Sequence, residues 1–167
     1  NIYVLGFNVT LGDLVIAKYN SSGVIQWKRV LKETIASTVI VSADISIDSS
    51  DNIYVTGQSF LPSDTEGECL IAKYNSSGAI QWQRSFGGTL ADTGNGIVTD
   101  SSGDVYVTGS TANGSYGSYD VLILKIPPDG SKTGTYGSFV YQATTFTDAV
   151  SSVTDSAGSL TDSIGNL

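Results

Sequence analysis

A fifteen-residue unit occurs twice in this chain. Residues 70–84 read LIAKYNSSGAIQWQR and residues 15–29 read VIAKYNSSGVIQWKR, which differs at three positions. A shorter motif, NIYVLG, NIYVTG or DVYVTG, begins at Asn1, Asn52 and Asp104. Because self-similarity at a regular period marks units that bury their apolar faces on one another, the sequence predicts a tandem array of three related copies.

Each copy has the pattern of short strands separated by turns. In the third copy an alternating run ends at a turn, Asp100 to Gly103, and a second run resumes at Val105. A nearly continuous apolar run, 121–126, is expected to be covered on both faces, as are its counterparts 14–19 and 69–74 in the other two copies. In the second copy the Asn-Ser-Ser-Gly turn at 75–78 leads into a fourth, half-polar strand. The third copy has Pro-Pro-Asp-Gly in its place, residues that favour the same kind of turn.

Four antiparallel strands in about 52 residues, apolar inside and half-polar at the outermost strand, are typical of a propeller blade. We therefore predict an all-β fold of antiparallel four-stranded β-propeller repeats. The expected units are a partial blade at 1–32, blades at about 33–92 and 93–142, and a separate tail at 143–167. Since propellers close with about four to eight blades, the array is expected to be an incomplete propeller or a fragment of a longer one.

The motifs DSSGDVYVTG, DVLILK and NSSGAIQWQRSFGG resemble the SBBP, or β-propeller, repeats of secreted and surface proteins of bacteria. Similar arrays occur in virion proteins of marine bacteriophages. The resemblance covers about residues 1–130 and implies a propeller-like fold and an extracellular place on a virion or cell surface, without implying an activity. Two departures stand out: Lys32 and Glu33 replace a Gly-Gly pair, and the third copy lacks the tryptophan of the other two.

Charge restricts the partners. The formal net charge is −8, which disfavours nucleic acid and anionic lipid surfaces as binding partners. No apolar run approaches the length of a membrane span. We therefore expect neither a nucleic-acid partner nor a transmembrane segment.

The chain has no histidine, which removes Ser-His-Asp and Cys-His catalysis and histidine-based zinc sites. Asp48 and Asp100 flank the turns but lack the spacing of a calcium loop, so capping of the turn backbone is the favoured interpretation. Cys69 lies on an apolar strand and is expected to be a small buried hydrophobe. The sequence thus predicts a protein that is not an enzyme, with no cofactor and no metal site.

A lysine recurs once per copy, at residues 18, 73 and 125. A residue that repeats with the blade is more often placed by packing than by function. We expect each stem to lie along apolar surface and each amine to reach water or a carbonyl.

The loops between the second and third strands of each copy vary while the strands repeat, so ligand contact is expected there. Tyrosine offers a flat apolar face with a polar tip, which suits sugars and protein surfaces. The candidate binding residues are Asp64, Glu66, Tyr116 and Tyr119. The alternative is a flexible loop without a ligand.

Beyond Tyr141 the pattern changes to a heptad. Apolar residues at alternating steps of four and three would form one stripe on a helix. We predict that this tail self-associates into a parallel, trimeric bundle; an unordered or extended linker is the competing interpretation. The predicted oligomerisation positions are Phe146, Val150, Val153, Ala157, Leu160, Ile164 and Leu167.

The sequence favours a structural and adhesive module of a virion fibre or cell-surface appendage, displaying loops to a glycan or protein receptor. Two alternatives remain: a secreted propeller enzyme acting on polysaccharide, and a passive structural spacer.

Overall fold

Each repeat copy forms an antiparallel sheet of its own. The computed structural model describes residues 1–8, 12–32, 39–61, 64–113, 118–144 and 146–150. Sheet one contains, in spatial order, β1 (Ile2–Asn8), β2 (Asp13–Tyr19), β3 (Ile25–Lys32) and β13 (Thr147–Val150). Sheet two contains, in chain order, β4 (Val39–Ile47), β5 (Ile53–Leu61), β6 (Asp64–Tyr74), β7 (Ile80–Gly87), β11 (Gly134–Tyr136) and β12 (Phe139–Ala143). Sheet three contains β8 (Asp92–Thr99), β9 (Val105–Thr111) and β10 (Asp120–Ile126).

The strand register confirms that the copies are equivalent. The repeated lysine faces the repeated tyrosine of the preceding strand in all three sheets. Its amine lies 5.0 to 5.4 Å from the centre of a tyrosine ring in the same three places. The tryptophan of the following strand faces the lysine in sheets one and two. The predicted all-β, antiparallel repeat fold is therefore confirmed, and the sheets form an open array that does not close.

The tight turns follow from their sequence. Asn75 Oδ1 accepts hydrogen bonds from the backbone N–H groups of Ser77 and Ala79, at 3.1 and 2.9 Å. Gly78 closes the turn with φ of +79°, a conformation that a side chain disfavours. Asn20 holds the same turn in the first copy. The turn is therefore held by hydrogen bonds between its own residues.

Two cores hold the sheets face to face. Alternate residues of β6 point into opposite cores: Cys69 and Ile71 into the core shared with sheet three, Leu70 and Ala72 into the core shared with sheet one. All four side chains are fully buried. The predicted two-sided burial of the apolar strand is therefore confirmed in β6.

The same prediction is wrong for β10. Leu122 and Ile126 are buried against sheet two, but Val121 and Ile123 are 79% and 69% exposed. Among the residues that the structure describes, no sheet lies beyond this face. Val121 and Ile123 would be buried only by a further blade packed on this face. The sequence of β10 alone does not predict whether its outer face is covered.

The third copy does not add a fourth strand to β10 within the described residues. The segment after its turn lacks the alternating apolar residues of β3 and β7 and instead forms the β11–β12 hairpin. β12 pairs with β7, so residues 134–143 extend sheet two. Sheet three therefore ends at Ile126, which differs from the expected blade of 93–142.

The start of the predicted helical tail is also corrected. Residues 147–150 form β13, which pairs with β3. Phe146 is 6% exposed and packs in the core between sheets one and two, where its carbonyl accepts a hydrogen bond from Gln83 Nε2 at 2.8 Å. A strand forms here because an open sheet edge satisfies backbone groups that a lone helix this short would leave to water. The heptad positions from Val153 onward lie outside the described residues.

No helix in the described part of the chain is long and apolar enough to cross a bilayer.

Candidate functional site

Successive strands of a blade run in opposite directions, which separates two ends of the array. The Asx-type turns, such as 48–52 and 75–79, lie at one end, called here the turn end. The end of β5 and the start of β6, the inter-blade connection 88–91, and residues 112–113 and 118–119 beside β9 and β10 lie at the other, called here the loop end. A binding surface has a different character at each end.

At the turn end, Asp48 caps its own turn. Asp48 accepts hydrogen bonds from the backbone N–H groups of Ser50 and Asn52 at 2.9 Å and from the Tyr54 hydroxyl at 3.1 Å. Burial raises the pKa of Asp48, but the hydrogen bonds from Asn52, Ser50 and Tyr54 outweigh it and bring the pKa below its usual 3.8. The turn-capping interpretation is confirmed.

Asp100 holds the equivalent turn of the third copy. It accepts from the N–H groups of Ser102 and Asp104 and from the Tyr106 hydroxyl, at 2.9 to 3.2 Å. In the described residues, no group of three or more acidic or cysteine side chains could hold a metal ion. The carboxylates of Asp48 and Asp100 thus accept hydrogen bonds from the backbone of their own turns.

The repeated lysine and tryptophan form an inter-blade clamp. Lys18 Nζ and Trp27 Nε1 both donate to the carbonyl oxygen of Ser76 in the next blade, at 3.0 and 3.2 Å. One blade later, Lys73 Nζ and Trp82 Nε1 both donate to the carbonyl oxygen of Pro128, at 3.1 and 3.0 Å.

The clamp confirms the packing interpretation of the lysines in sheets one and two. Lys125 differs, because its amine pairs with Asp104 of its own sheet at 2.7 Å.

At the loop end, one asparagine ties two connections together. Asn113 Oδ1 accepts from the N–H groups of Thr89 and Leu90 at 2.9 and 3.0 Å. Its Nδ2 donates to the Leu90 carbonyl and to Oδ2 of the fully buried Asp92, both at 2.9 Å. The residues just after β9 are therefore anchored to the connection between β7 and β8.

Sequence reasoning missed Asn113 and Asp92. Asn113 and Asp92 lie 21 positions apart in the sequence, and an asparagine in a Ser/Gly-rich segment carries no signal of a distant contact.

Three of the four predicted ligand residues are in the described part of the chain, and they lie on or beside two neighbouring sheets at the loop end. Glu66 is exposed on β6, where its carbonyl accepts from Gln58 Nε2 at 3.2 Å. Asp64 is the first residue of β6. Tyr119 is 64% exposed directly before β10. Tyr116 lies outside the described residues.

The single thiol is inert. Cys69 is fully buried, and burial raises its pKa to about 12. Because the thiolate is the reactive form, Cys69 has no nucleophilic role at neutral pH. The expectation of a buried hydrophobe is confirmed.

Antiparallel sheets stacked face to face and built from one repeated motif define an open array of β-propeller type. A family model described as SBBP, beta-propeller repeat, matches residues 81–117, a range that includes most of β7 and all of β8 and β9. The chain therefore contains an SBBP-type β-propeller repeat. No curated protein matches the chain.

Proposed function

We propose that this chain is a non-enzymatic structural and adhesive module that presents its loop end to a cell-surface glycan or protein receptor. The observation that carries the proposal is the contrast between the two ends. Asp48 and Asp100 at the turn end are bound to the backbone of their own turns, whereas Tyr119 is exposed at the loop end.

The anchored residues after β9 support this use. The side chain of Asn113 makes five hydrogen bonds to residues 89, 90 and 92. Backbone that is already held loses less conformational entropy when a ligand binds beside it, so more of the contact energy appears as affinity. An exposed tyrosine adds a flat surface on which a sugar ring or an apolar side chain can stack.

We place the module outside the cell, on a virion fibre or a surface appendage. The support is the resemblance of its repeats to those of bacterial surface proteins and phage virion proteins. The net charge of −8 supports a neutral or basic partner over nucleic acid or anionic lipid.

A glycan array probed with the labelled protein, run beside a polysaccharide-degradation assay, tests the proposal. Tyr119→Ala should abolish binding because it removes the exposed ring. Tyr136→Ala is the matched control, since Tyr136 is also exposed, at 52%, but lies in the β11–β12 hairpin that extends sheet two and not beside β10 in the sequence. Polysaccharide turnover would replace the proposal with an enzyme, and the absence of any glycan or receptor ligand would replace it with a passive spacer.

We further propose that the tail joins copies of the chain, in line with its heptad. Sedimentation velocity of the full chain should give a trimer, and the double substitution Leu160→Asp with Ile164→Asp should give a monomer. The body should stay folded in the variant, because both positions lie beyond β13. A monomeric full chain would overturn the proposal.

A further inference from the structure

Sheet three lacks, among the described residues, the strand that completes the other two. In sheet one β3 pairs with β2, and in sheet two β7 pairs with β6. In the third copy β10 corresponds to β2 and β6. It pairs with β9 alone in the part of the chain that the structure describes. Its outer edge therefore presents a row of backbone donors and acceptors.

That edge carries few of the devices that usually protect an edge strand. Such strands are blunted by proline, by charged side chains or by bulges. β10 is seven residues long, its register with β9 is unbroken, and its only charged residues are Asp120 and Lys125. Val121 and Ile123 expose their side chains on its outer face. β10 therefore has the apolar sequence of an interior strand, although it lies at the edge of its sheet in the described structure.

A groove lies beside this edge. Sheet two extends beyond sheet three through β12 and β11, and Tyr141 of that extension is buried in the core with Phe86. The result is a cavity of about 360 Å³ with Tyr136, Tyr141 and Phe86 on one side and residues 123–127 of the β10 edge on another. A second hollow of about 370 Å³ shares Lys125, Pro127 and the two residues after the turn glycine. The groove thus lies along the open edge, where a fourth strand would run.

The repeat itself indicates what fits there. β3 begins Ile-Gln-Trp-Lys-Arg and β7 begins Ile-Gln-Trp-Gln-Arg. In sheet two Trp82 lies opposite Lys73, and its ring meets Tyr54 edge-on at 6.3 Å between centroids. Sheet three keeps Lys125 and Tyr106 at those positions, with the lysine amine 5.4 Å from the tyrosine ring centre.

We propose that the open edge of β10 binds, by β-strand addition, an extended segment of the pattern Ile-x-Trp-x-Arg carried by a partner polypeptide. By equivalence with sheet two, the tryptophan lies opposite Lys125 and packs on Tyr106, while the isoleucine lies opposite Ile126 at the groove. Backbone hydrogen bonds supply affinity in this mode of recognition, and the alternate side chains supply specificity. The inference is independent of the adhesive function proposed for the loop end.

A synthetic peptide with the sequence of residues 79–87, AIQWQRSFG, tests the proposal on the full chain. Binding is measured by fluorescence anisotropy, and the site is read by hydrogen exchange. We expect the amides of β10 to gain protection while those of β6 stay unchanged. A peptide carrying Ile80→Ser and Trp82→Ser should bind at least about tenfold more weakly, which corresponds to about 1.4 kcal/mol.

Two N-methylated peptides separate strand pairing from apolar adhesion. Methyl groups on alternate residues remove the N–H donors on one side of a strand only. One of the two frames should therefore abolish binding and the other should leave it intact, because only one side faces β10.

Variants of the protein complete the test. Tyr136→Ala removes an exposed side chain from the groove and should weaken peptide binding several-fold without unfolding the chain. Val98→Ala is the control, since Val98 is 60% exposed on β8, at the opposite edge of sheet three. Tyr119→Ala should leave peptide binding unchanged, which separates this site from the loop end.

Each remaining outcome overturns the proposal. These outcomes are no binding of the peptide, binding that both N-methylated frames retain, or protection that appears in β6 because the peptide has replaced β7. Association of two chains through β10 in the absence of peptide would identify a second copy as the occupant and would overturn it as well.

Discussion

Sheets two and three are built from the same motif, yet equivalent residues have opposite environments. Ile71 of β6 is fully buried, whereas Ile123 of β10 is 69% exposed; Cys69 is fully buried, whereas Val121 is 79% exposed. Sheet two has a neighbour on each face in the described structure, and sheet three has one. In an array of this kind, the neighbour decides which residues form core.

The outer edges of the three sheets also differ in what covers them. β12 covers the outer edge of β7, and β13 covers the outer edge of β3. One segment, residues 139–150, thus fastens the rims of two blades, while the rim of the third is open in the described residues. Copies built from one motif therefore differ in how their edges are covered.

The largest test of this comparison replaces the same residue in both sheets. Ile71→Ala should lower the free energy of unfolding by about 2–5 kcal/mol, because it leaves a cavity in a closed core. Ile123→Ala should change it by less than about 0.5 kcal/mol, because the side chain faces solvent. Urea denaturation of the two variants gives both numbers. Equal losses would mean that a further layer covers β10.

A second pair concerns the turn glycines of sheets one and two. Gly23 and Gly78 have φ of +75° and +79°, so alanine at either costs about 1–2 kcal/mol in backbone strain. A Cβ on Gly78 would lie 2.8 Å from the Trp27 ring of the preceding blade, whereas one on Gly23 would meet nothing within 4 Å. Gly78→Ala should therefore lose about 1–3 kcal/mol more than Gly23→Ala in the same urea assay. Equal losses of unfolding free energy in the two variants would show that Trp27 does not pack on the turn at Gly78.

A third pair separates a lysine that joins two blades from one that does not. Lys73→Met keeps the apolar stem but removes the amine bound to the Pro128 carbonyl, and should cost about 1.5 kcal/mol or more. Lys125→Met removes an exposed pair with Asp104, and its effect should disappear when salt is added. Thermal unfolding at low and high ionic strength distinguishes the two. A salt-sensitive loss at Lys73 would contradict the clamp.

The smallest effect concerns the turn carboxylates and depends on pH. The pKa of Asp48 is lower in the folded chain than its usual 3.8, so its stabilising effect is present above that value and is lost as the pH falls through the folded pKa. Asp48→Ala should therefore cost about 1 kcal/mol at neutral pH and progressively less in acid. Asp100→Ala should cost less, because its Tyr106 partner is only half-buried while Tyr54 is fully buried. A loss that does not vary with pH would contradict the capping role.

Much of the fold follows from local sequence. Period, turn residues and alternation were enough to predict antiparallel repeats, because Asn75 and Gly78 fix the hairpin within a few residues of chain. The buried Cys69 was predicted from its place on an apolar strand, and the packed lysines 18 and 73 were predicted from their recurrence once per copy.

The rest depends on contacts between distant segments. Nothing in the heptad spacing of Phe146 and Val150 predicts that this stretch would complete the edge of sheet one instead of forming a helix. The anchor formed by Asn113 and Asp92, and the exposure of Val121 and Ile123, also depend on which segment lies beside them. The repeated motif predicts the antiparallel sheet of each copy. It does not predict how the strands at the ends of the array are covered.

Hydrogen exchange measured residue by residue tests the central claim most directly, by comparing the amides of β6 with those of β10 in the free protein. The account predicts that the amides of 69–74 are protected up to global unfolding, while about half of those in 121–126, the half facing the open edge, exchange at nearly unprotected rates. Uniform protection along β10, equal to that of β6, would show that the third sheet is already covered and would contradict the account.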